Sequence, residues 1–431
     1  MSFRVIEKIW IRKGYSMKHM RSNTHSLISN LLWYGWIPYC VVFHYIGLSL
    51  VLPFFLLGFL VQNKISLKPI LNSMRTINIF NISFLVFILF IGISSVYSIH
   101  PTASITTCLK LFGLFLVFLI LKSIVLLPQS EEDRSLLLKK IQWSFAICLG
   151  LFLAYRLYVD FYSLVLAPRW DISPEIFKKP GFFYDNKTTG STLLLLFWPL
   201  VYASGRLCLK KATVLYLMLG VALFRTDALT AQVAYLGAPL VAVLIYWGAT
   251  FVRSWITLSG IFLILFIPWL SIYFLTPTRL ASLFDVYATR WHSLYHRLHI
   301  WYFSAHKAFE KIYLGWGAGA SKYIPEAQIE IEPGLVNLCS HPHNNYIQIW
   351  LELGAVGAAL IAFVFFVFGR TLNTFKGKLF QATSYSSVAT ALIIMGMSYS
   401  AWHMWWLSNL FMAALCFLAF YPIKDDSSWS D

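Results

Sequence analysis

The sequence has 431 residues, of which 58% are apolar and only 12% are charged. Soluble domains are about a quarter charged, so this composition excludes an ordinary soluble domain and predicts an integral membrane protein. The formal net charge of +16 does not indicate a nucleic-acid partner, because the basic residues are dispersed among short connections between apolar runs. The six cysteines show no CxxC or zinc spacing and predict no disulfide framework.

Residues 1–25 are basic and precede an apolar run that lacks a small-residue cleavage site, so they predict an uncleaved cytoplasmic tail. Apolar runs of about 17 to 25 residues predict membrane spans. Twelve such spans follow along the chain, at 26–43, 46–62, 80–98, 104–127, 141–161, 190–204, 213–224, 228–248, 255–275, 345–368, 386–402 and 405–421. We therefore predict an all-α polytopic membrane protein, with nine spans in residues 26–275 and three in residues 345–421.

The distribution of Lys and Arg indicates how these spans are oriented. With the N-terminus inside, the inner connections carry most of the basic residues, as the positive-inside rule requires. Residues 422–431 then form a second cytoplasmic tail. The span count lies between ten and twelve, because 26–62 is one divided run and 213–224 is short for a full crossing.

The connection 276–344 is the largest outer loop, and it is aromatic and hydrophobic rather than of low complexity. We expect it to fold, since structureless loops of this length are uncommon in compact domains. Its stretch 289–312 has apolar residues at helical spacing and no Pro or Gly, which predicts an amphipathic helix lying on membrane lipids at the outer interface. The sequence GWGAG, residues 315–319, then ends this helix.

Polar side chains mark the start of the tenth predicted span. If its helix begins near Asn344, then Asn344, Gln348 and Glu352 are spaced i, i+4 and i+8 and share one face. An ionisable Glu352 about two turns into a bilayer is costly unless it is paired or faces a cavity, which points to a functional role. Hydrogen bonding between helices is the alternative. Gly354 and Gly357 predict close helix packing.

His341 and His343 precede this span and allow three interpretations: metal ligands, an acid or base, or solvated loop residues. The loop holds six histidines, and His292 and His296 have an i, i+4 spacing that a zinc site could use. However, no HExxH motif is present, and most of the loop histidines fall on the polar face of the predicted helix. We therefore favour a general base for one of the pair and predict no metal.

Two arginines on the predicted outer side are candidates for binding phosphate. Arg225 lies in a short outer turn and Arg297 in the predicted amphipathic helix, and the planar fork of arginine suits bidentate binding of phosphate oxygens. Lys187, in the outer connection 162–189, is a further candidate for an anionic ligand. For each of them the alternative is contact with lipid headgroups or a surface ion pair. Arginines together with a base on one face fit chemistry on a lipid-linked phosphate.

Three motifs resemble those of a known family. HNNYIQIWLELGAVG, residues 343–357, resembles the bacterial O-antigen ligase signature of His, then Asn, Ser or Gln, then nine residues before G-x-x-[G/T/Y]. The stretch 297–323, RLHIWYFSAHKAFEKIYLGWGAGASKY, is similar to the R-x-x-x-W helix and glycine-rich segment of the wider O-antigen ligase and polymerase superfamily. FFYDNKTTGSTLLLLFWPL, residues 182–200, resembles the superfamily's Asn-containing stretch before a span.

The resemblance implies a GT-C-like glycosyltransferase that uses no cofactor and no metal. Such ligases transfer the O-antigen glycan from undecaprenyl diphosphate to a sugar hydroxyl of the lipid A core, on the periplasmic face of the inner membrane. It implies that His343 is the general base and that Arg297 binds the diphosphate. Where the family often has Ser-Arg this chain has Ala-Leu, at 228–229, so Arg225 is expected to serve instead.

Substrate contacts are expected from Asn344, Gln348, Glu352, His341 and Lys187, which surround the same motif or face the same side. Single displacement would invert the anomeric carbon. Two other functions stay open from the sequence. One is an O-antigen polymerase, which uses the same donor with a lipid-linked glycan as acceptor. The other is a secondary transporter, in which Glu352 would relay protons; no internal repeat or broken helix pair is predicted in its favour.

Overall fold

The computed structural model describes residues 78–125, 131–161, 186–205, 209–226, 228–276, 278–280, 292–332 and 335–421. The predicted spans 26–43 and 46–62, both predicted tails and most of the connection 162–189 lie outside these residues. The helices are α1 Ile79–Ile93, α2 Pro101–Val125, α3 Glu131–Phe161, α4 Asn186–Ser204, α5 Leu209–Phe224, α6 Leu229–Tyr246, α7 Phe251–Phe274, α8 His292–Glu310, α9 Asn345–Leu372, α10 Lys378–Met397 and α11 Met404–Phe420. Strands β1 Glu330–Glu332 and β2 Leu335–Val336 form a small antiparallel sheet.

The helices match the sequence prediction closely. Each predicted span that falls within the described residues, from 80–98 to 405–421, lies on one of the helices α1 to α7 or α9 to α11. Six of the described helices are long and apolar enough to cross a membrane: α1 with its 3₁₀ extension to Val96, α2, α6, α7, α9 and α10. The chain is therefore a mostly helical, multi-pass membrane protein, and the number of its spans stays a prediction.

The surface of the bundle has the character expected of a protein in lipid. On α7, exposed Trp255, Leu258, Phe262 and Phe266 form an apolar stripe at helical spacing. The inner faces bury large apolar residues such as Leu194 and Trp406, and beside them small and polar residues of the kind that connect helices in membranes. On α10 these are buried serines and threonines, namely Thr383, Ser384, Ser386, Ser387 and Thr390.

Helix α6 packs along α10, and α7 packs along α9. Buried Ala231, Ala234 and Ala238 on α6 leave room for close approach of the helix backbones. Helix α8, from the large loop, packs against both α7 and α9. The described part of the loop is therefore folded, as predicted, and it packs on the bundle, which was not predicted. Among the described residues the two-stranded sheet is the one departure from an all-α fold.

The helix predicted at 289–312 is present as α8, His292–Glu310, and GWGAG follows it. Its position at the membrane–water interface stays a prediction. Gly315, Gly317 and Gly319 all have positive φ, at 69°, 102° and 70°, which side chains with a Cβ rarely adopt. The segment 315–321, here called the glycine-rich segment, turns inward. The Ala318 backbone N–H donates to Ser94 Oγ at 3.2 Å, and Ser104 Oγ donates to the Ala318 carbonyl at 2.9 Å.

Helix α9 is broken at Gly354, which no prediction from the sequence included. Gly354 has φ 62° and ψ −163°, so the helical hydrogen bonds around it are lost. Their groups pair with the loop instead. The Trp316 N–H donates to the Leu351 carbonyl at 2.9 Å, and the Ala355 N–H donates to the Ile312 carbonyl at 2.7 Å. Two more such bonds join Gly317 N–H to Glu352 O at 2.8 Å and Val356 N–H to Tyr313 O at 3.1 Å.

The prediction that Gly354 permits close packing is therefore right but incomplete. A Cβ at this position would lie 2.4 Å from the Tyr313 carbonyl carbon, so the close approach is between two backbones rather than between two helix faces. The prediction of an uninterrupted span over 345–368 is wrong, because periodicity in side chains carries no signal of a single backbone break.

The boundary predicted for the eleventh span is also wrong. Helix α10 ends at Met397, and Ser398 has the non-helical angles φ −132° and ψ −79°. Residues 398–403, here called the 398–403 turn, connect α10 to α11. The sequence prediction included this turn in the span because Tyr399, Ala401 and Trp402 are apolar or aromatic. Aromatic residues are common both at the ends of spans and at membrane interfaces.

We predict that Gly354→Ala destabilises the protein, because the new Cβ meets loop backbone and the left-handed conformation is strained, at a cost of about 1–3 kcal/mol or more. Gly150→Ala, in helix α3, is the matched control, since no atom lies within 4 Å of its added Cβ. The measurement is the thermal midpoint for loss of monodisperse protein in detergent. Equal midpoints for the two variants would contradict this account of the break.

Candidate functional site

The predicted site residues gather at one end of the bundle, where α9 begins and α10 ends. The 398–403 turn is tied to two further helices there. Ser398 Oγ donates to Thr230 Oγ1 of α6 at 2.9 Å, and Tyr399 OH lies 3.0 Å from Ser191 Oγ of α4. The ends that join here are those predicted to face the outer side.

His343 is held in one tautomer by a backbone carbonyl. Its Nδ1 lies 2.8 Å from the Ser398 carbonyl oxygen. Because a carbonyl can only accept, Nδ1 carries the proton of the neutral ring, and Nε2 has the free lone pair. His343 also has a positive φ of 54°, an uncommon conformation for a residue other than glycine, and such strain clusters at functional sites.

The charge state of His343 suits a base. Burial lowers the pKa of His343 below its ordinary value. The hydrogen bond to the Ser398 carbonyl opposes this, while the nearby positive groups of Arg297 and Lys187 lower the pKa further. The ring is therefore neutral near pH 7 and able to take a proton at Nε2.

Asn344 fixes the direction in which His343 meets helix α9. Asn344 is the N-cap, is buried, and accepts hydrogen bonds at Oδ1 from the backbone N–H groups of Tyr346 (3.0 Å) and Ile347 (3.2 Å). This satisfies two of the donors that every helix start leaves open. The helix therefore starts where the sequence predicted, within one residue.

Arg297 lies beside His343 and is held by the same helix end. Its Nη1 donates to the Met397 carbonyl at 3.1 Å, so the last residue of α10 and the one that follows it hold the guanidinium and the imidazole on consecutive carbonyls. The partial negative charge of a helix C-terminus attracts the cation. Burial lowers the pKa of Arg297, but the guanidinium stays charged because its ordinary pKa is far above neutral.

His341 and His403 complete a cluster of three imidazoles. The ring centroid of His341 lies 4.1 Å from that of His343 and 5.0 Å from that of His403. Burial, followed by the neighbouring His343, lowers the pKa of His341 to about 2 and that of His403 to about 4. His341 is buried, so the interpretation as a solvated loop residue is wrong for it, and its Nε2 makes no hydrogen bond to any described residue.

The sequence interpretation missed His403 and the rest of the 398–403 turn. These residues were assigned to a span, or to its border, because SYSAWHMWW reads as apolar. The signal that could have found them is the orientation: the connection before the twelfth predicted span falls on the same outer side as His343. A histidine in such a connection is a candidate partner of the loop.

Gln348 and Glu352 share one face, as predicted, and hydrogen-bond to each other. Gln348 Nε2 donates to Glu352 Oε1 and to Ser400 Oγ, both at 3.0 Å, and its Oε1 accepts from the Ala401 N–H at 2.9 Å. Glu352 also accepts from the Gly319 N–H, Ser321 Oγ and Trp402 Nε1. Both side chains are almost fully buried, so their polar atoms are occupied by the protein.

Arg225 and Lys187 have different surroundings in the structure. Arg225 follows helix α5 and donates from Nη1 to Asp160 Oδ2 at 2.7 Å, with half of its side chain exposed. It is thus in the surface ion pair that the sequence left open. Lys187, the second residue of α4, is exposed and close enough to act on the charge of His343.

Metal ligation was the other interpretation of the histidines. Among the residues that the structure describes, no group of three or more His, Cys, Asp and Glu side chains is placed to hold a metal ion. His296 Nε2 lies 2.9 Å from the Val336 carbonyl, so it is held by strand β2. The side chain of His292 lies outside the described residues.

A family comparison covers part of the chain that contains this site. Residues 214–362 match a family model described as O-antigen ligase. The matched segment includes Arg225, Arg297, His343, Glu352 and the break at Gly354. It ends before the 398–403 turn.

Curated relatives match over part of the chain. A protein of Rickettsia conorii is 38% identical over 122 residues, which are 26% of this chain and 29% of the relative. One of Rickettsia typhi is 39% identical over 132 residues, 30% of this chain and 33% of the relative. One of Rickettsia prowazekii is 36% identical over 146 residues, 33% of this chain and 36% of the relative. All three carry the provisional name polysaccharide ligase.

The chain therefore spans about a third of the length of the curated relatives that it matches. The family-model match, residues 214–362, contains the large loop and the start of α9, where two of the three motifs found in the sequence lie. This chain is a multi-pass membrane protein, and its residues 214–362 are similar to the O-antigen ligase family.

Proposed function

We propose that this protein is an O-antigen ligase, which transfers a polysaccharide from undecaprenyl diphosphate to a sugar hydroxyl of lipid A-core. The observation that carries this proposal is the pair formed by His343 and Arg297. A neutral imidazole with its free Nε2 and a charged guanidinium lie side by side on consecutive carbonyls of one helix end. The reaction would take place at the periplasmic face of the inner membrane.

Departure of the diphosphate is assisted by positive charge. A diphosphate is already a good leaving group, so breaking its bond to the sugar needs charge stabilisation more than it needs an acid. Arg297 donates to Met397 from one N–H and has four others for phosphate oxygens. Lys187 adds a second positive charge on the same side of the cluster.

The acceptor hydroxyl loses its proton to His343 Nε2 as its oxygen attacks the anomeric carbon. The new C–O bond forms as the bond to the diphosphate breaks, and the electron pair leaves with the diphosphate. One displacement of this kind inverts the anomeric carbon. A general base contributes about 10²- to 10⁴-fold to such a step, and no metal is assigned to it.

The remaining site residues take supporting parts in this proposal. His341, whose Nε2 is buried without a partner among the described residues, is assigned to the acceptor sugar. Asn344 orients His343 through its cap. Arg225 is assigned a smaller part than Arg297, because its guanidinium is paired with Asp160.

The function is tested with purified protein, a lipid-linked glycan donor and lipid A-core, without an ion gradient. Ligase activity predicts glycan on the core. Joining of two lipid-linked glycans, with no product on the core, would identify a polymerase instead. Absence of both reactions, together with solute movement that depends on an ion gradient, would identify a transporter.

We predict that His343→Ala lowers transfer by at least about 10²-fold, because the proton acceptor is removed. His306→Ala is the matched control, since His306 is an exposed histidine on α8. The measurement is initial rate at equal amounts of membrane-inserted protein. Full activity in His343→Ala would end the base assignment.

Arg297→Ala is expected to lower transfer by about 10²- to 10³-fold, as loss of one charge-stabilising donor does in other enzymes. Arg297→Lys should keep part of the rate, because the charge remains but the fork is lost. Arg225→Ala should have a smaller effect than Arg297→Ala when the rates are measured in parallel. A larger loss in Arg225→Ala would reverse these two roles.

The pH dependence follows from the lowered pKa of His343. Protonation of Nε2 removes the base, so the pH at which kcat falls to half should lie below 6.5, the ordinary histidine value. Lys187→Met removes a positive charge that lowers this pKa, so the acidic limb should move to higher pH. A limb at or above pH 6.5 in the unmodified protein would contradict the burial of a neutral base.

A further inference from the structure

We propose that Glu352 is a positioning residue, whose ionised carboxylate fastens the glycine-rich segment and the 398–403 turn to α9 and thereby fixes His343 and Arg297. The inference concerns how the site is held together, and its kinetic part rests on the proposed function. It follows from the hydrogen bonds of one fully buried side chain.

Four donors meet the carboxylate of Glu352. Oε2 accepts from the Gly319 N–H and from Trp402 Nε1, and Oε1 accepts from Ser321 Oγ and from Gln348 Nε2. The Gly319 N–H, Trp402 Nε1 and Gln348 Nε2 can only donate, whereas the Ser321 hydroxyl can either donate or accept. An ionised carboxylate accepts all four of these hydrogen bonds together.

An ionised group at this depth is costly unless its hydrogen bonds offset the loss of hydration. Glu352 has no exposed surface, and none of the ion pairs found among the described residues includes it. Hydrogen bonds from protein donors must therefore hold the charge. An apolar side chain would fill this position without the cost of a buried charge. A carboxylate here therefore indicates that its hydrogen bonds have a function.

These bonds join three pieces of backbone, and they add to the backbone bonds that already connect Trp316 and Gly317 to α9. Gly319 and Ser321 belong to the glycine-rich segment, Trp402 to the 398–403 turn, and Gln348 to α9. Three glycines with positive φ make the glycine-rich segment depend on its partners. The glycines of this segment have no side chains to pack, so hydrogen bonds to the Glu352 carboxylate hold the segment in place.

The connection continues from Glu352 to the two catalytic candidates. Gln348 bonds to Ser400 and Ala401, so with Trp402 three consecutive residues of the 398–403 turn are fastened to α9. The same turn begins with Ser398, whose carbonyl sets the tautomer of His343. A shift of the turn would therefore misplace the base.

The structure favours positioning over substrate binding for Glu352 because neither of its oxygens is exposed and each already accepts two hydrogen bonds. The two roles differ in their kinetics. A positioning residue affects kcat, whereas a residue that binds the donor affects KM as well. They also differ in whether moving the carboxylate from position 352 to position 348 can restore activity.

The test compares Glu352→Gln, Gln348→Glu and the double variant that carries both changes. Glu352→Gln places an amide N–H₂ against hydrogen-bond donors. It should lower kcat by about 10- to 10²-fold, which is the effect of a small misplacement of catalytic groups. KM for the lipid-linked glycan should change little. Gln348→Glu sets two carboxylates side by side and should also lower kcat. The double variant restores one carboxylate and one amide, so it should recover part of the rate.

A second measurement does not depend on activity. Diethyl pyrocarbonate modification of His341 and His343, followed by mass spectrometry, should be slow in the unmodified protein and faster in Glu352→Gln. Thr390→Val is the matched control, because it removes the buried bond from Trp198 Nε1 (2.9 Å) without touching the 398–403 turn. Trp402→Phe, which removes one donor only, should change both readouts less but in the same direction, even if Glu352→Gln does not fold.

The outcomes separate this inference from the proposed function. Unchanged histidine modification together with unchanged kcat overturns the positioning role, and so does a raised KM with kcat unchanged. Failure of the double variant to recover any rate also overturns it. If the unmodified protein transfers no glycan but its histidines become reactive in Glu352→Gln, the proposed function fails and the positioning role stands.

Discussion

Backbone groups released inside a membrane protein must find partners, because lipid offers none. Helix α9 releases such groups where it breaks at Gly354, and the loop that follows α8 supplies their partners through four backbone hydrogen bonds. This pairing draws the loop down against α9. The large loop is therefore part of the packed structure, and the position of every site residue that it contributes depends on the break.

Near the contact between the loop and α9, the protein combines a few charged side chains with the buried neutral rings of three histidines. Arg297 and Lys187 bring positive charge, and the buried carboxyl group of Glu352 is held by hydrogen bonds from four partners. Burial keeps the three histidines neutral, which leaves His343 with a lone pair in a region of positive charge. Such a region attracts an anion while its histidines stay neutral.

The sequence predicted the helices well because long apolar runs and Lys and Arg placement are strong signals in membrane proteins. It also predicted α8 from helical periodicity, while the roles that local motifs give to His343 and Arg297 stay predictions. It did not predict the break at Gly354 or the extent of the 398–403 turn. His403 and Trp402 were therefore missed, although they lie next to His341 and Glu352.

The sequence by itself determined the membrane class, the helix positions, the folded loop and the motif that begins at His343. These depend on composition and on spacing along one element. Only the tertiary structure decided that His343 and Arg297 share the end of α10, that Arg225 is paired with Asp160, and that Glu352 joins three segments. Those contacts link residues distant in the chain, and a hydrogen bond between two backbones leaves no pattern in side chains from which it could be read.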